Sequence, residues 1–219
     1  MSHARAEQRV RKAGLVPVVA LPTPTIALPL AEALLGGALD VIEITFRTEG
    51  AAQAISDIRN HLPEMLVGAG TITSPEQVLA AADAGAQFAV APGFNEAVVA
   101  AADEAGLPFW PGVATPSEIE TALATGHRFL KYFPAEAMGG ATTIEALLGP
   151  YRHLGIEFIP TGGINAELAP SYWQVAGIAA IGGSWIAAKQ LLIDEAWTQI
   201  EHLTRTAVAA HAAATNETN

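Results

Sequence analysis

Short apolar runs recur along the chain, starting near Val16, Val41, Leu66, Phe88, Phe109, Phe129, Phe158 and Ile178. Each is followed by a polar or Gly/Pro turn and then by a helical pattern. Eight strands alternating with helices predict a parallel sheet, because parallel neighbours need crossover connections. The count of eight predicts an α/β fold closed as a (β/α)8 TIM barrel, at the compact end of that class. An open doubly wound sheet is the rival architecture. It would carry a glycine fingerprint after the first strand, where this chain reads Leu21-Pro22-Thr23-Pro24-Thr25.

Helix starts are written clearly. Ser74-Pro75-Glu76-Gln77 and Thr115-Pro116-Ser117-Glu118 each supply a cap, a first-turn proline and a Gln or Glu at the third position. Residues 4–13 predict an extra N-terminal helix. The last helix is expected from about Asp194 to about Ala210, with residues 211–219 as a frayed tail rich in Ala, Thr and Asn. No linker interrupts the pattern, so a single (β/α)8 domain is expected over residues 1–219.

Composition narrows the function classes. Of 219 residues, 51% are hydrophobic and 15% charged, which excludes disorder and supplies one sizeable core. A net charge of −11 argues against nucleic acid and anionic membranes as partners. The absence of cysteine excludes disulfides and thiolate metal sites and fits a cytoplasmic location. Arg5, Arg9, Arg11 and Lys12 precede an apolar stretch, a layout similar to a signal peptide, but Pro17, Pro22, Pro24 and Pro29 suit a strand and a loop. No stretch of 18 apolar residues is free of breakers or charges, so no membrane span is expected. The six histidines show no short ligand spacing, so no metal is expected either.

Two charged residues stand inside apolar strands. Lys131 lies in Phe129-Leu130-Lys131-Tyr132-Phe133, where alternation places Phe129, Lys131 and Phe133 on one face and Leu130 and Tyr132 on the other. An ammonium there must be paired, neutralised or used in chemistry. The bland alternative is a lysine snorkelling at a strand end. In Val41-Ile42-Glu43-Ile44-Thr45-Phe46-Arg47, the same alternation turns Ile42, Ile44 and Phe46 toward helices and Glu43, Thr45 and Arg47 toward the axis and its mouth. A core-filling salt bridge from Glu43 to Lys131 or Arg47 is the structural alternative. Buried pairs stabilise little, so acid–base chemistry is the sharper reading.

Chemistry in such barrels gathers at strand C-terminal ends. Those ends read Gly68-Ala69-Gly70-Thr71, Ala91-Pro92-Gly93, Pro160-Thr161-Gly162-Gly163 and Ile181-Gly182-Gly183-Ser184-Trp185. Glycine pairs after strands seven and eight, with Ser184 alongside, fall where barrels commonly hold a phosphate. Trp185 reads as core, or as a wall of the site.

The combination of Glu43-Ile44-Thr45-Phe46-Arg47-Thr48, Gly68-Ala69-Gly70-Thr71, Pro92-Gly93-Phe94, Pro111-Gly112-Val113-Ala114-Thr115-Pro116, Lys131-Tyr132-Phe133-Pro134-Ala135-Glu136, Pro160-Thr161-Gly162-Gly163-Ile164 and Gly182-Gly183-Ser184-Trp185 resembles the 2-keto-3-deoxy-6-phosphogluconate (KDPG) aldolase family. That family includes enzymes acting on 4-hydroxy-2-oxoglutarate (KHG). The resemblance runs from about Val16 to about Val208. It implies a class I lyase of Entner–Doudoroff carbohydrate metabolism, usually a homotrimer, which cleaves a small phosphorylated 2-keto acid without metal or other cofactor. It implies that Lys131 forms the Schiff base and Glu43 is the general acid/base. Arg47 and Thr71 would hold the keto-acid carboxylate, and Pro92 and Phe133 would shape the pocket around the imine. Thr161 would meet the substrate hydroxyl, with Gly162, Gly163, Gly182, Gly183 and Ser184 around the phosphate.

Some positions depart from the family pattern. The loop Pro22-Thr23-Pro24-Thr25 is uncharged where relatives often carry charge, Ala91 replaces a frequent serine, and Tyr132 a frequent phenylalanine. Arg47 and Thr161 favour the gluconate-type branch over its galactonate analogue. Because an adjacent ionised carboxylate would hold the lysine's proton, Glu43 is expected to act through a water. The rival readings are another phosphate-binding barrel isomerase or synthase, and a non-catalytic keto-acid-binding or scaffold barrel. Inward-facing Lys131 and Glu43 speak against both. The choice between KDPG and KHG stays open, as does stereochemistry at C4.

Overall fold

A computed structural model describes residues 2–216. Its strands are β1 (Leu15–Val19), β2 (Val41–Thr45), β3 (Leu66–Gly70), β4 (Ala89–Val90), β5 (Phe109–Trp110), β6 (Gly112–Val113), β7 (Phe129–Tyr132), β8 (Glu157–Pro160) and β9 (Ile181–Gly183). The helices are α1 (His3–Ala13), α2 (Ala27–Gly36), α3 (Ala51–His61), α4 (Pro75–Asp83), α5 (Glu96–Glu104), α6 (Pro116–Ala124), α7 (Gly140–Tyr151), α8 (Ala169–Trp173), α9 (Lys189–Ile193) and α10 (Trp197–Asn216).

All the strand ladders are parallel. They form two curled sheets, ordered β5-β4-β3-β2-β1-β9 and β6-β7-β8. Each of the eight apolar runs carries a strand, and the fifth carries two. Pro111 has no N–H to donate, so it interrupts the ladder and divides that run into β5 and β6. At the other edge, isolated parallel bridges Phe158↔Ile178 and Thr161↔Gly182 join the β8 segment to the β9 segment.

Strand alternation sorts the core into two layers. Ile42, Ile44, Leu130 and Tyr132 join the large cluster shared with the helices. Val16, Val41, Leu66, Phe88, Trp110 and Phe129 form the inner cluster, capped by Ala6 and Val10 of α1. Phe88 stacks on Trp110 with centroids 4.4 Å apart. Two of the N-terminal cations secure α1. Arg9 pairs with Asp40 at 2.7 Å, and Arg11 grips both carboxylate oxygens of Glu157 while lying over the Phe129 ring.

The helix starts follow the sequence signals with one difference. Thr115 and Glu118 complete a capping box. Ser74 accepts from the Gln77 backbone, but the Gln77 side chain reaches one residue further and accepts from the Thr73 N–H at 2.7 Å.

The chain's end departs from expectation. Residues 211–216 are not a frayed tail: α10 starts at Trp197 and continues to Asn216, and residues 217–219 lie outside the described part. Tertiary contacts hold this last stretch. The His211 ring lies across Gly14 and edge-on to Trp173 (5.2 Å between centroids), and Ala214 is buried.

Candidate active site

The inner face changes character two residues along each strand. Val16, Val41, Leu66, Phe129 and Ile159 belong to the apolar cluster. Two positions on, alternation puts Val18, Glu43, Gly68, Lys131 and Thr161 on the same face. The registers align Val18 with Glu43, Glu43 with Gly68, and Lys131 with Gly112 and Ile159.

Glu43 and Lys131 meet from strands in different sheets. Lys131 Nζ lies 3.4 Å from Glu43 Oε1, and the residues are 5% and 3% exposed. This contact is direct, where the sequence reading expected an intervening water. Gly70 makes room for it, and Gly112 makes room for the neighbouring Pro92 backbone. A Cβ on Gly70 would fall 2.0 Å from Glu43 Oε1, and one on Gly112 would strike the Pro92 backbone at 2.3 Å. Gly112 is the ladder partner of Lys131, so the Pro92 backbone lies against the strand next to the lysine's, on the face Lys131 shares. Lys131 Nζ also lies 5.7 Å from the Phe133 ring centroid.

Arg47 follows β2 directly. Its Nε donates to Thr45 Oγ1 at 3.2 Å, and Thr45 in turn donates to the Val19 carbonyl at 3.1 Å, so a buried hydroxyl orients an exposed guanidinium. Thr71 follows β3 in the left-handed region (φ 59°), a conformation costing a non-glycine residue roughly 1–2 kcal/mol.

Beyond the ion pair, a cavity of about 170 Å³ opens. Arg47 and Phe133 line it together with Thr161. Both glycine pairs, Gly162-Gly163 and Gly182-Gly183, contribute backbone, and Ser184 stands at its edge. Gly162 (φ 106°) and Gly163 (φ 83°) occupy backbone conformations that L side chains rarely adopt. Eight of the twelve sequence-derived site residues therefore line one cavity. Lys131 and Glu43 are not in its lining either but are linked to it by Phe133, whose ring centroid lies 5.7 Å from Lys131 Nζ, and Thr71 and Pro92 are half-buried and outside it. A second cavity, about 580 Å³, shares Val18, Arg47, Ile164 and Ser184 with the first. Trp185 walls this larger space while also packing on the core, with its ring across Gly183.

Sequence reasoning missed several contributors. Val18 and Ile164 line both cavities. Val18 was recoverable, being two residues past inward-facing Val16. Glu136 and Tyr172 form a support behind the Gly162-Gly163 turn. The Tyr172 hydroxyl donates to Glu136, whose own N–H donates to the Gly162 carbonyl at 3.0 Å. Burial, reinforced by Glu136, pushes the Tyr172 phenol well above its ordinary pKa, so it stays a donor. A Cβ on Gly163 would sit 2.6 Å from Glu136 Cβ. Nothing in the local pattern pairs residues 136 and 172.

A family model described as KDPG and KHG aldolase matches residues 6–203. The chain belongs to the KDPG and KHG aldolase family. Among its relatives, 2-dehydro-3-deoxy-phosphogluconate aldolase of Haemophilus influenzae is 43% identical over 198 residues, covering 90% of this chain and 92% of that protein. The KDPG aldolase of Legionella pneumophila, solved with pyruvate captured as a covalent carbinolamine, is 35% identical. Its TM-score is 0.87, over 91% of this chain and 96% of its own. The Zymomonas mobilis KDPG aldolase, solved with 3-phosphoglycerate, is 33% identical with a TM-score of 0.85, over 95% and 97%. In this KDPG and KHG aldolase family member, the buried amine–carboxylate pair and the glycine-lined cavity adjoin at the C-terminal ends of the strands.

Proposed function

We propose that the protein is a class I aldolase that cleaves KDPG to pyruvate and glyceraldehyde 3-phosphate through a Schiff base on Lys131. Action on KHG, giving pyruvate and glyoxylate, uses the same keto-acid end. One observation carries the reading: a buried lysine in direct contact with a buried carboxylate, linked through Phe133 to a cavity lined by glycine backbone. The pyruvate carbinolamine of the Legionella relative supports the same chemistry.

The chemistry follows from what C3–C4 cleavage requires. Electrons left on C3 need a sink better than a neutral C2 ketone. Glu43 takes a proton from the Lys131 ammonium, and the free amine attacks C2 to give a carbinolamine. Loss of water, with the proton supplied by Glu43, gives a protonated imine. Glu43 then accepts the C4 hydroxyl proton as the C3–C4 bond breaks. The electron pair passes into the enamine, and C4 leaves as an aldehyde. Protonation at C3 and hydrolysis of the imine release pyruvate and restore the amine.

Arg47, held by Thr45, and Thr71 take the keto-acid carboxylate. Pro92 and Phe133 wall the imine, and Thr161 meets the substrate hydroxyl. Gly162, Gly163, Gly182, Gly183 and Ser184 take the phosphate on backbone N–H groups and a hydroxyl. Pro111 joining the two sheets at one edge, and the Thr161↔Gly182 bridge at the other, support a closed (β/α)8 barrel in one domain. No helix among the described residues is long and apolar enough to cross a membrane. We assign the protein to the Entner–Doudoroff route in the cytoplasm and, by family, to a homotrimer.

The test is pyruvate release from KDPG, followed with lactate dehydrogenase and NADH in the presence of EDTA. Steady pyruvate formation is expected. No pyruvate from either KDPG or KHG would overturn the assignment.

A further inference from the structure

We propose that Lys189 is a specificity-determining residue, the cation that selects a phosphorylated substrate over one ending in a short carboxylate. This rests on the aldolase reading and deepens it. The two connected cavities are lined by two cations, Arg47 and Lys189, and by no carboxylate. In a chain of net charge −11 that is a marked local reversal of sign. Arg47 lines both spaces, but it is tied to Thr45 and is assigned above to the keto-acid carboxylate.

The glycine pairs and Ser184 offer hydrogen-bond donors but no net positive charge for a phosphate dianion. The loop after β1, Leu21-Pro22-Thr23-Pro24-Thr25, borders the larger cavity and offers none either. Lys189 lines that cavity five residues after Ser184. It is exposed, and it takes part in none of the ion pairs or side-chain hydrogen bonds found among the described residues. A solvated ammonium on a four-carbon stem can swing toward a bound anion without breaking a prior contact.

Length then sets the selectivity. Both substrates share C1 to C4, which the Lys131 end of the site handles. KHG stops at a C5 carboxylate, shorter than KDPG by the C6 carbon and its phosphate. KDPG carries its phosphate on C6, which the glycine pairs and Ser184 receive at the border of the larger cavity that Ser184 and Lys189 both line. Lys189 therefore acts on the longer substrate. Its contribution is to ground-state and transition-state binding alike, since the phosphate does not react.

The experiment compares wild type, Lys189→Met and Lys189→Arg with KDPG and KHG at low and raised salt. Methionine keeps much of the aliphatic stem and removes the charge. For Lys189→Met, kcat/KM for KDPG is expected to fall five- to tenfold through KM, with kcat within twofold and both KHG constants within twofold. Arginine should restore most of the KDPG value, and raised salt should narrow the gap between wild type and the methionine variant. Unchanged KDPG kinetics, or an equal loss for both substrates, would overturn the proposal. Inorganic phosphate provides a readout that needs no turnover: it should raise the melting temperature of wild type more than that of Lys189→Met. If wild type cleaves neither substrate, the aldolase reading fails, and this phosphate difference alone decides whether Lys189 is an anion contact.

Discussion

Glu43 Oε1 sits 3.4 Å from Lys131 Nζ, although 88 residues of chain separate the two and their strands belong to different sheets. Both groups are almost wholly buried. A buried pair of this kind gains little over well-packed apolar residues, yet removing one partner strands the other charge in a poor solvent. Stability alone gives no reason for this pair, whereas imine chemistry needs both members.

This asymmetry has a measurable consequence. Glu43→Gln should lower kcat by a factor of about 10²–10⁴. It should also lower unfolding free energy by about 3 kcal/mol, because the ammonium loses its counter-charge. Lys131→Met should abolish turnover and be destabilised by a similar amount. The double variant should recover much of the stability and none of the activity. Denaturant melts of the four proteins, arranged as a cycle, check this. Additive losses in the double variant would show that the two charges do not depend on each other.

The turn after β8 depends on a glycine that no side chain replaces without strain. Gly163 has φ 83°, and its missing Cβ leaves room for Glu136, which Tyr172 holds in place. Gly163→Ala should cost about 2 kcal/mol of stability, since the new methyl meets both an unfavourable backbone and a carbon at 2.6 Å. It should also raise KM for KDPG by tenfold or more, as the backbone N–H groups are displaced. Thermal melts and steady-state kinetics on the same preparation separate the two effects.

The closing helix gives a pH-dependent term. Burial holds His211 below its ordinary pKa near 6.5, and half-buried His127 is lowered for the same chief reason, with Asp103 opposing. A folded-state value below the unfolded one means that the unfolded chain binds the proton first as pH falls. The contribution is therefore present above pH 6.5 and is lost as pH drops through the folded value. His211→Gln should flatten the decline in melting temperature below pH 6.5 relative to wild type. Truncation after Ala210 should lower the melting temperature at every pH, because it removes the contact with Gly14 and Trp173 and the burial of Ala214.

Much of this architecture was legible because it is written in short-range pattern. Alternation in β2 and β7 placed Glu43 and Lys131 on the inner face, and the outer positions of Ile42, Ile44, Leu130 and Tyr132 follow the same rule. The caps at Ser74 and Thr115 are local chemistry and were readable as such. The features that escaped depend on contacts between distant segments. Helix α10 outlasts its composition because Trp173 and Gly14 meet His211. Glu136 and Tyr172 find each other 36 residues apart. Lys189 matters through a cavity formed by segments from β1, β2 and β8 as well as its own. The break at Pro111 escaped as well, because the effect of its missing N–H on the ladder depends on which neighbours require it.

The most direct test of Schiff-base chemistry is borohydride reduction in the presence of pyruvate, with the modified peptide located by mass spectrometry. The expected result is one irreversible pyruvate-derived adduct per chain, on Lys131, absent from Lys131→Ala. An adduct on Lys12 or Lys189 with Lys131 unmodified, or no adduct in a protein that still turns over KDPG, would contradict the assignment.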